Sequence, residues 1–318
     1  MKAVRYHAHG DSDVLVSEDA ERPAAGPGEV VVRVAGTAFN LLDAAIRSGL
    51  VREVFPVALP HVPGYDVSGV VDEVGEGVHG WAVGDAVVAF LSPVAPGAAA
   101  EYVAAPAEAL ARAPRTADLA DAAALPSVGL TAWQAVFEHA GVQAGQRVLV
   151  DGAGGGVGGY AVQLAAGAGA RVTATAGPRS VERVRAYGAE HVVDYTAAPP
   201  GEALAGQRFD VVLHFAPMRI ADLTPTSPEE VARLVDLVAD GGTFLSTTVD
   251  GPEEPGRGVR AERIFVRADP AQLAGLVARV DAGDLRIHVA QRRPLADLPA
   301  VHADAAAGRP PGRTVLTP

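Results

Sequence analysis

Short apolar runs interrupted by glycine and proline dominate the first third of the chain. These runs are rich in β-branched residues, and they lie at 30–36, 67–75, 85–90 and 100–105. Apolar runs of this length bounded by turn residues are typical of strands. The pattern therefore predicts a mostly β region that extends to about residue 115.

The pattern changes after an alanine-rich segment at 117–139. A short apolar strand at 147–151, a glycine-rich turn, an apolar helix and a second strand form one βαβ unit. Further strands are predicted at 191–194, 209–215 and 242–248, with helices at 179–187 and 228–239. This alternation indicates an α/β fold with a doubly wound parallel sheet.

The tail of the chain, from about residue 269, combines both patterns. It predicts a helix at 272–283 and strands at 285–291 and 313–318. The chain has 318 residues, 49% of them hydrophobic, which is enough for packed cores in about two domains. We therefore expect a β-rich domain and a parallel-sheet domain.

Charge and cysteine content exclude several classes of function. A net charge of −12 opposes nucleic-acid binding, because a phosphate backbone requires clustered Lys and Arg. Zero cysteines exclude disulfides, thiolate nucleophiles and every cysteine-ligated metal site. The N-terminus lacks the apolar core of a secretory signal, and no segment approaches the roughly 20 apolar residues of a membrane span. We expect a cytoplasmic protein without a membrane or nucleic-acid partner.

A glycine-rich motif follows the strand at 147–151. Residues 154–159 read G-G-G-V-G-G and satisfy G-x-G-x-x-G between a predicted strand and a predicted helix, the setting in which this motif binds a dinucleotide. We assign the tight turn to Gly154, the close approach to a pyrophosphate to Gly156, and helix–strand packing to Gly159. The residues predicted to contact the cofactor here are Gly154, Gly155, Gly156, Val157 and Gly159. A glycine-rich loop without a ligand is the alternative.

The turn after the second strand of this βαβ unit distinguishes NAD from NADP. NAD-binding chains carry an acidic residue about 20 residues after the glycines, but residues 175–180 read T-A-G-P-R-S. Arg179 would attract the 2′-phosphate of NADP, and Ser180 could donate a hydrogen bond to it. We therefore predict NADPH as the cofactor. Alternatively, Arg179 only solvates the end of its helix.

Several blocks recur together in one known superfamily. They are GTAFNLLDAAIRSG (36–49), PGYDVSGVVDEVGEGV (63–78), LPSVGLTAWQAV (125–136), GAEHVVDY (188–195) and PGRTVLTP (311–318). With these blocks the chain resembles the medium-chain dehydrogenase/reductase superfamily, and within it the zinc-independent quinone oxidoreductase branch that includes ζ-crystallin-like proteins. The resemblance implies a GroES-like β-rich catalytic domain at 1–120 and 266–318, a Rossmann NADP-binding domain at 121–265, and a homodimer or homotetramer.

The resemblance also bears on the catalytic metal. Zinc-dependent relatives carry a cysteine where this chain has Asn40, and a His-Glu pair where it has Tyr65-Asp66. Asn, Tyr and Asp do not provide the soft and imidazole ligands of a tetrahedral zinc site. We therefore expect no catalytic metal.

The absence of a Lewis acid narrows the class of reaction that this chain is expected to catalyse. An alcohol–ketone interconversion would lose the group that polarises its oxygen. Hydride addition to a quinone or an enone instead gives a stabilised hydroquinone or enolate, which hydrogen-bond donors can steady. We expect an NADPH-dependent reductase of quinones and other α,β-unsaturated carbonyls. The alternatives are an enoyl-thioester reductase, a biosynthetic enone or ketone reductase, and an NADPH-binding protein without catalysis.

The resemblance also suggests catalytic residues. Asn40 would orient the nicotinamide or the substrate, Tyr65 would donate its hydroxyl to the acceptor oxygen, and Asp43 would organise the loop. For Tyr65 and Asp43, a buried polar network without a chemical role is the alternative.

Further cofactor contacts follow from the same resemblance. Thr131 would contact the nicotinamide ribose or phosphate, and Tyr195 would join Arg179 and Ser180 around the 2′-phosphate. Phe244, which we place with the cofactor contacts, is one of four phenylalanines that could line an apolar substrate slot, with core packing as the alternative. His214 departs from the usual pattern of the family and could be a proton donor or a strand-end histidine.

Overall fold

The computed structural model describes residues 1–216, 226–253, 256–308 and 312–318. They form two compact units, the first from Met1–Ser127 and Ala268–Pro318, the second from the chain between Val128 and Arg267. Each unit carries one of the two predicted sheet types, so the predicted α/β fold class is confirmed. The units divide after residues 127 and 267, whereas the resemblance implies domain boundaries after residues 120 and 265.

Strands are numbered along the chain. They are β1 (Lys2–Arg5), β2 (Val16–Asp19), β3 (Glu29–Ala38), β4 (Asp66–Val74), β5 (Ala86–Phe90), β6 (Tyr102–Pro106), β7 (Leu110–Arg112), β8 (Arg147–Asp151), β9 (Arg171–Thr175), β10 (His191–Val193), β11 (Phe209–His214), β12 (Val238–Ser246), β13 (Arg260–Arg263), β14 (Gln291–Pro294) and β15 (Thr314–Thr317).

Helices are numbered in the same way. They are α1 (Leu41–Ser48), α2 (Pro126–Trp133), α3 (Gly156–Gly167), α4 (Val181–Ala186), α5 (Pro200–Ala203), α6 (Pro228–Asp236), α7 (Pro270–Ala282) and α8 (Leu298–Ala306). A π-helical turn at Gln134–His139 continues α2. Within the described parts of the chain, every helix is too short or too polar to cross a membrane.

The first unit is built on a seven-stranded sheet. Its strand order is β14-β15-β3-β4-β5-β7, and β6 also pairs with β3. β3 begins with EVVVRV, and the three consecutive valines are fully buried. Helices α1 and α8 contribute to a core that contains Tyr6, Phe39, Leu298 and Val301. Burial of these apolar side chains stabilises the unit.

The second unit contains six parallel strands in the order β10-β9-β8-β11-β12-β13. This is the Rossmann order, in which the direction of winding reverses between β8 and β11. Leu149, Phe209, Val212, Leu234 and Phe244 form part of its core. Ligands of such sheets bind at the carboxyl ends of the strands near this reversal, which places β8 and β11 at the expected site.

One predicted strand is wrong. Residues 286–289 belong to no strand, although the apolar sequence LRIHVAQ predicts one at 285–291. The paired segment starts at Gln291 because its partner, β15, starts at Thr314, and these two residues are opposite each other. The length of a short strand is therefore set here by its partner rather than by its own apolar pattern.

Candidate active site

The glycine-rich loop of the second unit turns at Gly152. This residue has φ of 84°, and a Cβ there would lie 2.8 Å from the backbone nitrogen of Ala216. Gly158, inside α3, is packed against the same turn, since a Cβ would lie 2.4 Å from the carbonyl oxygen of Gly152. The tight turn and the close packing therefore belong to Gly152 and Gly158, and our assignment of these roles to Gly154 and Gly159 is wrong.

The tip of this loop is accessible to a ligand. Gly155 is the exposed N-cap of α3, and Gly154, Gly156 and Val157 beside it are partly exposed. The first N–H groups of a helix have no partner within the helix and attract anions. The loop therefore presents backbone donors suited to a pyrophosphate, at the carboxyl end of β8.

Replacing Gly158 by alanine is expected to lower the free energy of unfolding by about 1–3 kcal/mol, because the new methyl group overlaps the Gly152 carbonyl. The displaced loop should also bind a dinucleotide more weakly. Gly159→Ala is the matched control in the same helix, since its Cβ would meet nothing nearer than Tyr187 at 3.4 Å. Urea denaturation and fluorescence titration with NADPH measure both effects. Equal behaviour of the two variants would contradict this packing role.

Ser180 and Arg183 border the loop from α4. Ser180 is the N-cap of α4, and Arg183 Nη2 donates to the Gly154 carbonyl and to Ser180 Oγ, both at 3.1 Å. Sequence reasoning missed Arg183. Its spacing of three residues after a helix N-cap was an available signal, because side chains three apart share a helix face. Arg183 holds Ser180 and the glycine loop together.

The other predicted 2′-phosphate ligands lie at the same edge of the sheet. Arg179 is exposed just after β9, and among the described residues no ion pair engages it. Tyr195 is 52% exposed after β10, and a Cβ at Gly177 would lie 3.3 Å from its hydroxyl oxygen. Thr131 lies in α2 and is buried. The structure therefore brings Tyr195 to the turn that follows β9.

His214 closes a buried network at the ends of β8, β9 and β11. Its Nδ1 lies 2.7 Å from Asp151 Oδ2, its Nε2 lies 3.0 Å from the Thr226 hydroxyl, and its side chain is fully buried. Thr175 Oγ1 donates to the other oxygen of Asp151 and accepts from the Gly152 N–H. Both ring nitrogens are therefore engaged, which fits a strand-end histidine that anchors the glycine loop.

Phe244 does not lie where we predicted it. It has no exposed surface, belongs to the core of the second unit, and stacks on the ring of His214 with centroids 6.1 Å apart. Apolar packing between β11 and β12 buries the ring completely. Phe244 supports His214 from within the core and does not present a surface to a cofactor.

The first unit contains a buried ion pair at Asp66. This carboxylate is fully buried and accepts four hydrogen bonds: from the Ser127 N–H at 2.7 Å, from Ser127 Oγ at 2.6 Å, from Asn40 Nδ2 at 2.9 Å, and from Arg313 Nη2. Such a set of partners compensates a buried charge. Three of these bonds go to Oδ2 and one to Oδ1, and each comes from a protein group.

Arg313 is held as completely as its partner. Nη1 donates to Asn40 Oδ1 at 2.6 Å and to the Phe39 carbonyl at 3.2 Å, and Nε donates to the Ala124 carbonyl at 3.3 Å. Sequence reasoning missed Arg313 and Ser127, although both stand in blocks that carry the resemblance. No local feature of the sequence around Arg313 indicates that this side chain pairs with Asp66, which lies 247 residues away in the chain.

These contacts limit what Asn40 and Asp66 can bind. The amide of Asn40 donates to Asp66 and to the Ala38 carbonyl and accepts from Arg313, so Asn40 holds the network together. A divalent cation at Asp66 would have to displace a guanidinium. Within the residues that the structure describes, no three His, Asp or Glu side chains form a group that could hold a metal ion. The donor set does not fit zinc.

Asp43 and Tyr65 lie beside this network. Asp43 accepts from the backbone N–H of Asn40 and of Gly64, each at 3.1 Å, and burial raises the pKa of its carboxyl to about 7. Tyr65 is 6% exposed and its ring packs on Phe90. Burial, together with Asp43 and Asp66, holds the pKa of the Tyr65 hydroxyl well above its usual value. Tyr65 therefore stays protonated and able to donate a hydrogen bond.

Comparison with known protein families agrees with this architecture. Residues 26–115 match the family described as alcohol dehydrogenase GroES-like domain, and residues 187–316 match the family described as zinc-binding dehydrogenase. The two matches cover parts of both units.

Individual proteins extend these matches. The chain is 40% identical over 226 residues to a chloroplast envelope quinone oxidoreductase homolog of Arabidopsis thaliana, covering 68% of each chain. It is 31% identical to the mitochondrial NAD(P)H oxidoreductase RTN4IP1 of Homo sapiens, covering 91% of this chain and 82% of the relative. Among solved structures, an NAD-dependent alcohol dehydrogenase superposes over 100% of both chains with a TM-score of 0.88 and 31% identity.

Proposed function

This chain belongs to the medium-chain dehydrogenase/reductase superfamily, in its quinone oxidoreductase branch, and we propose that it transfers hydride from NADPH to quinones or other α,β-unsaturated carbonyls without zinc. It is an oxidoreductase that uses a nicotinamide cofactor. The acceptor, the preference for NADPH and the independence of zinc are our proposal. The observation that carries it is the guanidinium of Arg313 on Asp66, beside Asn40.

The acceptor class follows from the groups beside Asp66. Zinc would polarise a simple ketone as a Lewis acid, but the side chains of Asn40, Tyr65 and Asp66 suit hydrogen bonding rather than zinc. Hydrogen bonds suffice for an acceptor whose reduced form is delocalised, as in a hydroquinone or an enolate. The protonated hydroxyl of Tyr65 is the donor that we assign to the acceptor oxygen.

The residues around the glycine loop support NADPH as the hydride source. The loop tip at Gly154–Val157 would hold the pyrophosphate, and Arg179, Ser180 and Tyr195 would surround the 2′-phosphate. The turn from Thr175 to Ser180 has no carboxylate that would repel this phosphate. When bound, NADPH supplies the hydride. The chain's own residues would orient it.

A direct assay tests the proposal. The purified protein is given NADPH or NADH with a quinone, an alkyl enone, an enoyl-CoA thioester and a simple ketone, before and after dialysis against a zinc chelator. We expect chelator-insensitive oxidation of NADPH with the quinone or the enone. Activity that requires added zinc, or that appears only with the ketone, would overturn the proposal.

The full-length likeness to an NAD-dependent alcohol dehydrogenase favours a second candidate, oxidation of an alcohol. It predicts a preference for NADH and activity with simple alcohols in the same assay. Turnover confined to the thioester would indicate an enoyl-thioester reductase. Tight NADPH binding without turnover on any acceptor would indicate a binding protein.

A homodimer or homotetramer and a cytoplasmic location stay predictions. The two relatives described above are named as chloroplast envelope and mitochondrial proteins.

A further inference from the structure

Buried polar atoms without partners are concentrated in the first unit. Among the described residues, the buried side-chain atoms without a hydrogen bond belong to Tyr6, Arg47, His302 and, in the second unit, Arg263. His302 is the extreme case, since it is fully buried and both of its ring nitrogens are unpaired. An unpaired buried polar group costs about 1–3 kcal/mol, so such groups usually bind an ordered water. His302 therefore requires a partner from outside the protein.

A small cavity lies against His302. Its volume is about 10 Å³, and its lining includes Thr37, Asp43, Gly64, Leu298 and His302, all of them buried. This volume is about the minimum that holds one water molecule, and a buried water needs two to four polar partners. The Asp43 carboxyl, the His302 imidazole and the Thr37 hydroxyl provide them.

Asp43 differs from the neighbouring Asp66 in that its carboxyl group faces the cavity and can make further hydrogen bonds there. Asp66 accepts four hydrogen bonds, one of them from a guanidinium, and is not among the residues that line the cavity. Asp43 accepts one backbone N–H on each oxygen and faces the cavity. A carboxyl group has about four acceptor positions, so Asp43 can carry a proton and contact a water as well.

We propose that Asp43 and His302 share a water in this cavity, and that Asp43 holds the proton which accompanies hydride transfer. This inference rests on the proposed function. Reduction of an enone or a quinone adds one hydride and one proton to the acceptor. The O–H bond of Tyr65 breaks as an O–H bond forms on the acceptor. The O–H bond of Asp43, which lies near enough to Tyr65 to raise its pKa, breaks as the Tyr65 O–H bond forms again. Solvent returns a proton to the carboxylate through the cavity water. His302 is a positioning residue, because it acts through this water.

The titration of the two groups fits these roles. Burial raises the pKa of Asp43 to about 7, so its carboxyl exchanges protons near neutral pH. Burial, and then Arg47, lower the pKa of His302 to about 3, so its imidazole stays neutral, with one donor and one acceptor for the water. Asp66 and Arg313 act on Asp43, and Arg47 acts on His302, while the charge of Asp43 acts on Tyr65 and Tyr6. Arg47 is in turn acted on by Asp11 and Asp13.

The protonation state of Asp43 determines how kcat and stability change with pH. Asp43 is protonated below about pH 7, so kcat is expected to fall as the pH rises through that value. The same raised pKa contributes stability that is fully present below the unfolded pKa of about 3.9 and is lost as the pH rises through the folded value.

The test compares His302→Leu with His302→Gln in the full-length protein. Leucine removes the polar partner of the water, whereas glutamine keeps a donor and an acceptor. Infrared difference spectra across neutral pH, without cofactor, follow the carboxyl C=O band, which is identified by ¹³C labelling of aspartate and by its loss in Asp43→Asn. Loss of the water should raise the band's midpoint by about one pH unit in His302→Leu, and glutamine should restore it. The pH profile of kcat should move in parallel.

The outcomes separate the two proposals. An unchanged midpoint in His302→Leu, or the absence of an aspartate band in the wild type, overturns the role of the pair even if the enzyme reduces quinones. The labelled band keeps this test decisive if Asp43→Asn does not fold. A shifted band without turnover on any acceptor supports the water site and overturns the proposed function instead.

Discussion

Replacing Arg313 by methionine is expected to lower the free energy of unfolding by about 3–5 kcal/mol. The variant leaves Asp66 as a buried carboxylate without its guanidinium, and it removes the donors that the carbonyls of Phe39 and Ala124 accept. Breaking one side of a buried ion pair is costly because the remaining charge is neither solvated nor compensated. Urea denaturation measures the loss. We expect quinone reductase activity to fall as well, since Asn40 loses its partner.

Two further variants make this result interpretable. Arg292→Met removes an arginine that pairs with Asp121 while its side chain is 60% exposed, and exposed pairs contribute about 0–1 kcal/mol. The double variant Asp66→Asn with Arg313→Met removes both buried charges and should recover part of the stability. If Arg313→Met costs no more than Arg292→Met, the buried network does not hold the site.

Replacing Arg179 by glutamate is expected to weaken NADPH binding by roughly 10- to 100-fold and NADH binding only slightly. A charge-assisted hydrogen bond contributes about 1.5–3 kcal/mol, and the new carboxylate would also repel the 2′-phosphate. NADH has no phosphate at this position, so it loses neither contribution. Fluorescence titration with both cofactors measures the two dissociation constants, and their ratio tests whether the loss is specific to NADPH.

Arg185→Glu is the matched control for this prediction. Arg185 lies in α4, the helix that follows Arg179, and its exposed side chain pairs with Glu182 at 2.8 Å. The variant makes the same change in net charge near the end of α4, where solvent screens it. A loss of NADPH affinity equal to that of Arg179→Glu would mean that general charge, rather than a contact with the 2′-phosphate, determines the preference.

Local patterns in the sequence determined much of this structure. The alternation of apolar strands and helices between residues 147 and 248 predicted the parallel sheet, because burial of both sheet faces makes each strand apolar along its length. The glycine motif located the loop at the end of β8, since the turn and the close helix contact both exclude side chains. Periodicity and turn chemistry depend on a few consecutive residues, so they can be interpreted without knowing which distant residues pack against them.

Tertiary structure decided what depends on residues far apart in the chain. Arg313 meets Asp66 only after β15 joins β3, and that contact makes Asn40, which we predict to orient the nicotinamide or the substrate, also part of a polar network. The roles of Gly152 and Gly158 depended on how closely α3 approaches the turn, and the burial of Phe244 on the packing of the sheet. The water-sized cavity between Asp43 and His302 likewise exists only in the fold. Hydrogen bonds, burial and the pKa values that follow from them are set by distances in space, which a linear pattern does not contain.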